Sequence, residues 1–135
     1  MTYRKAEIRP YEPADEALLF GLASLDRGAD RRTLAVLEQE TVFVAVLEGA
    51  PAGYVAVAFV GEALRVDQLF VSPEHEAEGV GRQLLEHAEG YAISQGALVL
   101  QVVVSRGDSR ALDFYQSRGF VEVADELLEI VLPRR

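Results

Sequence analysis

Two glycines one residue apart, Gly79 and Gly81, stand where an apolar helix begins, and here the backbone itself could do chemistry. Glycines at a helix entry let several N–H groups converge on one point, and the helix dipole adds positive potential there. The guest such a nest predicts is a phosphate or pyrophosphate. Taken alone, the pair is explained equally well as a tight turn. No Gly-Lys-Ser/Thr follows, which excludes a Walker-type loop; a dinucleotide fingerprint would need an earlier glycine and a place near the start of a βαβ unit. Side chains around the nest add the carboxylates of Glu76 and Glu78, the imidazole of His75 and the guanidinium of Arg82. His75 could act on a substrate or do nothing, and His87, on the polar face of the helix, reads as solvated. The chain has no cysteine, so a disulfide framework, a thiolate metal site and a cysteine nucleophile are excluded.

A strand over 64–71 and a helix from Val80 to about Gly96 must hold the nest. Alternation places Leu64, Val66, Gln68 and Phe70 on one strand face and Arg65, Asp67, Leu69 and Val71 on the other. Pro73 ends the strand. Val80, Leu84, Leu85, Ala88 and Ala92 recur at helical spacing, with Arg82, Gln83, Glu86, His87 and Glu89 opposite, and Gly96 terminates the helix. Before this unit, residues 2–9 read as a strand stopped by Pro10, 14–25 and 32–40 as helices around a loop at 26–32, and 41–47 and 52–60 as a hairpin. After it, the apolar run 97–104 reads as a strand buried on both faces. Asp108 caps a helix over 109–118, Gly119 closes it, and 120–124 and 127–132 are the last strands. The order β-α-α-β-β-β-α-β-α-β-β implies an α/β fold, a mixed central sheet with helices on both faces.

At 135 residues the chain is long enough for one domain over 1–135 with a core of its own. No apolar stretch is long enough to span a membrane, and the N-terminus lacks a signal-peptide core. These features point to a soluble cytoplasmic protein without a membrane partner. The net charge of −9 argues against nucleic acid and suits a cationic substrate. There are no repeats and no low-complexity linker.

With the elements in this order, Glu76-Ala77-Glu78-Gly79-Val80-Gly81 and the run Asp108 to Phe120, containing Phe114-Tyr115 and Gly119-Phe120, the chain resembles the GNAT superfamily of N-acetyltransferases over essentially its whole length. The resemblance implies a GNAT-like fold, acetyl-CoA as co-substrate and an amine acceptor, either a small molecule or a protein. It implies that the backbone at Leu69, Phe70 and Val71 pairs with the pantetheine arm. It assigns the pyrophosphate to amides at Ala77, Glu78, Gly79, Val80, Gly81 and Arg82. Asp108 would contact the cofactor arm, or be only a helix cap. Tyr115 would protonate the departing thiolate, or be packing beside Phe114. The amine must lose a proton, and Asp67 is the first candidate base, with Glu129 second; Asp67 could equally be a surface residue or an ion-pair partner. A homodimer through C-terminal strands follows only by family analogy.

Two positions depart from the family pattern. Glu76 occupies a place usually held by Arg or Gln, and Asp108 one usually held by Asn, so each brings negative charge toward the cofactor. Arg82 or Arg110 could supply compensating charge. The competing expectation is a binding or regulatory module that keeps the fold with a weakened CoA site.

Overall fold

The computed structural model describes residues 5–15, 17, 21, 40–76 and 78–133. Within them, β1 (Glu7–Pro10), β2 (Thr41–Leu47), β3 (Ala50–Val60), β4 (Ala63–Val71), β5 (Val99–Val103), β6 (Val121–Ala124) and β7 (Leu127–Val131) form one mixed sheet. Its order is β1-β2-β3-β4-β5-β7-β6; β4 and β5 run parallel and the other neighbours antiparallel. Helix α1 (Val80–Ser94) joins β4 to β5, and α2 (Ser109–Gln116) follows β5. The helices expected over 14–25 and 32–40, and the loop between them, fall outside the described residues apart from a few positions. β1 ends at Pro10, one residue later than expected. The proline lies opposite Phe43 on this edge strand, where a missing N–H is tolerated.

The core forms where α1 lies across the sheet. Val80, Leu84, Leu85, Ala88 and Ala92 are buried, as their spacing requires, against Phe43, Ala45, Val55, Val57, Leu64 and Val66. Burial of a side chain such as Leu84 contributes about 1.5–3 kcal/mol. Tyr115 of α2 and Phe120 after it close the same core over Val102 and Leu128. Two residues assigned by spacing to the polar face of α1 are not solvated. Gln83 is buried, accepting from Ala6 N–H (2.8 Å) and donating to Gly79 O (3.2 Å), so it ties the start of the sheet to the start of the helix. His87 is half-buried with its ring edge-on to Phe43 at 4.5 Å, and burial lowers its pKa. Gly96 ends α1 as expected, at φ 80°, with Ala97 N–H donating to Ala92 O (2.9 Å).

Strict alternation fails along β4. Ala56 pairs with Gln68 but Val57 pairs with Val66, so Asp67 is an extra residue, a β-bulge. Beyond it the faces exchange. Leu64, Val66, Leu69 and Val71 share the α1 face, whereas Arg65, Gln68 and Phe70 share the other, where Tyr54 donates its hydroxyl to Gln68 (2.8 Å). The bulge also divides β4 from β5. Their pairing runs only from Ala63–Val99 to Val66–Val102, while β3 continues beside β4 to Val71. Nor is β5 buried on both faces: Leu100 and Val102 face the core, but Val103 is half exposed, because both described helices pack on the core side.

Candidate active site

Past the bulge, the edge of β4 from Asp67 to Val71 has no ladder partner in β5 among the described residues. The two strands diverge around a cleft of about 860 Å³. One wall is Asp67, Gln68, Leu69, Phe70 and Val71. The opposite wall is Val103, Val104 and Ser105, with the start of α1 at one end and Asp108, Ala111, Phe114 and Tyr115 of the α2 region along the side. An unpaired strand edge offers alternating N–H and C=O groups to an extended ligand.

Gly79 precedes α1 at φ 83°, a left-handed conformation that side chains resist, and no side chain caps the helix. The first helical hydrogen bond is Gln83 N–H to Gly79 O (3.1 Å), so the amides of Val80 and Gly81 have no intrahelical acceptor. Both residues line the cleft. Arg82 lines it too, with its guanidinium paired to Glu86 (2.9 Å). Glu78 turns away: its N–H donates to His75 O (3.3 Å) and its carboxylate meets His75 Nδ1 at 3.3 Å. Ala77 lies outside the described residues. Glu76 is exposed at the cleft rim.

Asp108 is a helix cap, accepting Ala111 N–H at 3.0 Å, and it also faces the cleft. Tyr115 is buried, its ring edge-on to Phe114 (5.1 Å) and Phe120 (5.4 Å). Its hydroxyl has no hydrogen-bonding partner among the described residues, and the residue lines the cleft. Burial, then the charge of Asp108, raises its pKa against the opposing pull of Arg118, so the phenol keeps its proton at neutral pH.

Asp67 is both a cleft residue and an ion-pair partner. Arg65 grips it through Nε to Oδ1 (2.5 Å) and Nη2 to Oδ2 (3.1 Å). Burial pushes its pKa up, but hydrogen bonds with Arg65 and Glu40 and the charge of Arg65 outweigh that and hold it below the ordinary value. Glu129 lies on the row of Arg65, beyond Gln101, and accepts an N–H from the Gln101 side-chain amide at 3.0 Å. The residue that sequence reasoning missed is Glu40, just ahead of β2. Burial, and then its contact with Asp67, push its pKa up to about 8 against the opposing charge of Arg65. No spacing signal could reveal it, because the contact joins positions 27 apart through the sheet.

A family model described as an acetyltransferase (GNAT) domain matches residues 38–122, and the chain belongs to that family. It is 34% identical over 91 residues to an uncharacterized N-acetyltransferase of Archaeoglobus fulgidus, covering 60% of each chain. It is 35% identical over 81 residues to the streptothricin acetyltransferase of Streptomyces lavendulae, covering 58% of this chain and 43% of that protein. The matches thus span less than two thirds of either relative's length. The PaiA N-acetyltransferase of Thermoplasma acidophilum, solved in complex with coenzyme A, shares the fold at 19% identity with a TM-score of 0.76 over 95% of this chain and 99% of that one. Among the described residues no helix is long and apolar enough to cross a membrane.

Proposed function

We propose that this chain is an acetyl-CoA-dependent N-acetyltransferase acting on an amine. The observation that carries the reading is the junction, in one cleft, of the unpaired β4 edge, the uncapped start of α1 and the hydroxyl of Tyr115. The residues present fit the co-substrate. A volume of about 860 Å³ is within the range of ligand pockets. The family membership and the naming of the two relatives as acetyltransferases support the same reading.

Acetyl-CoA supplies an acyl group activated as a thioester. The backbone of Leu69, Phe70 and Val71 holds its extended arm as an added strand would. The amides of Val80 and Gly81, with the dipole of α1, hold the pyrophosphate. Arg82 and Arg110 offset part of the repulsion from Glu76 and Asp108. Tyr115 stays protonated and donates its hydroxyl proton to the sulfur as the C–S bond breaks. The acceptor is a small-molecule or protein amine, deprotonated before attack. The negative net charge of the chain favours its approach as a cation.

Glu76 at the rim favours a second reading, a binding module that does not transfer the group. Thiol release from acetyl-CoA in the presence of a panel of amines separates the two. Amine-dependent release that disappears in Tyr115→Phe supports transfer. Acetyl-CoA binding without release from any amine favours the binding module.

A further inference from the structure

Glu40 is a half-buried ionisable group that this mechanism does not use. Both of its carboxylate oxygens are fully shielded from solvent, and no donor among the described residues reaches them. A buried carboxylate without a donor is strongly disfavoured, whereas a protonated one needs only an acceptor. Asp67 provides that acceptor: when Glu40 carries a proton, it hydrogen-bonds to Asp67. Arg65, on the same face of β4, fixes Asp67 by two bonds, so the three groups form a chain from the interior to the cleft wall. Asp67 sits in the cleft because it is the bulged residue.

Asp67 alone is poorly suited to deprotonate an ammonium, since Arg65 stabilises its ionised form. Two carboxylates in contact cannot both remain ionised without mutual repulsion, and they titrate as a unit. From this geometry we infer that Glu40 and Asp67 form a proton-sharing pair that accepts the proton of the incoming amine, with Asp67 facing the substrate and Glu40 acting through it as a positioning residue. The inference rests on the acetyltransferase reading and adds a residue to it. The step balances. An N–H bond of the ammonium breaks, its electron pair stays on nitrogen for attack on the thioester, and the proton enters the pair at Asp67. The form that accepts is the pair that has lost its shared proton, at a combined charge of −2; uptake restores that proton between the two carboxyls and brings the charge to −1, so acceptance sets in as pH rises through about 8. Among the described residues, the charged groups acting on Glu40 are Asp67 and Arg65 of β4; Glu129 of β7 is bonded to Gln101.

The direct test is a carbon-detected NMR titration of the side-chain carboxyls in the protein without acetyl-CoA, followed by the pH dependence of kcat/KM. One glutamate resonance titrates far above the ordinary carboxylate range, disappears in Glu40→Gln and moves toward that range in Asp67→Asn. In Glu40→Gln the acid limb of kcat/KM moves down by at least about one pH unit, and the plateau falls by about tenfold or more. Acetyl-CoA affinity is unchanged, and Glu40→Asp recovers part of the rate. If Glu40→Gln does not fold, the Asp67→Asn titration decides the pair by itself. The inference is overturned if every glutamate titrates in the ordinary range, or if the acid limb is the same in Glu40→Gln as in wild type. Wild-type protein that releases no thiol with any amine refutes the transfer reading and the acceptor role with it, while the NMR titration still decides whether the pair shares a proton.

Discussion

Replacing Glu76 by arginine reverses a charge at the rim of the cleft and leaves the amides of Val80 and Gly81 untouched. The side chain is exposed, so water sets the relevant dielectric. Two unit charges about 5 Å apart in water interact by about 0.8 kcal/mol. Reversal changes the interaction with one phosphate charge by twice that, about 1.6 kcal/mol, or roughly 15-fold in affinity. At physiological ionic strength, screening halves the energy and leaves about a fourfold gain. Glu74→Arg is the control, because Glu74 carries the same charge on the same loop but does not line the cleft. At about 10 Å its reversal gives less than about twofold at physiological salt. Calorimetric titration with acetyl-CoA at two salt concentrations reads both variants. Unchanged affinity in Glu76→Arg at low salt, or an equal gain in Glu74→Arg, would refute the placement of the pyrophosphate beside Glu76.

Tyr115→Phe lowers kcat by about 100-fold and leaves acetyl-CoA affinity within about twofold, read by thiol release and calorimetry. Gly53→Ala places a Cβ 2.4 Å from Phe70 O, so β3 and β4 must shift apart, and the denaturation midpoint falls by the equivalent of about 1–3 kcal/mol. Leu84→Ala empties a fully buried site under the sheet and lowers unfolding free energy by about 2–5 kcal/mol in urea titration. The folded chain binds the Glu40 proton more tightly than the unfolded chain does. The stability this contributes is complete below the ordinary glutamate value of 4.5 and is lost as pH rises through about 8. The Tm of wild type relative to Glu40→Gln therefore falls between pH 6 and pH 9 in scanning calorimetry.

Much of the scaffold is legible in the sequence because its signals are local. The α1 stripe from Val80 to Ala92, the left-handed glycines at Gly79 and Gly96, and the Asp108 cap depend on residues within a few positions of one another. What escapes is set by distant partners. Nothing within 64–71 announces that Asp67 is bulged, because the bulge exists only relative to Ala56 and Val57 on the neighbouring strand. Alternation therefore assigns Gln68 and Phe70 to the wrong face. For the same reason β5, a continuous apolar run, reads as doubly buried although Val103 is half exposed. Gln83 and His87 look polar by type, but Gln83 is held by Ala6 just ahead of β1 and His87 packs on Phe43. Within the cleft, the nest, Tyr115 and Asp67 are readable as candidates, whereas Glu40 emerges only when β4 is laid beside the start of β2.

The central claim is that acetyl-CoA binds between the splayed ends of β4 and β5. Amide chemical-shift mapping by NMR during titration with acetyl-CoA tests it most directly, with inorganic phosphate as the comparison. The account predicts saturable shifts at Leu69, Phe70 and Val71 together with Val80 and Gly81, of which phosphate reproduces only the last two. Shifts confined to other surfaces, or none at millimolar acetyl-CoA, would contradict it.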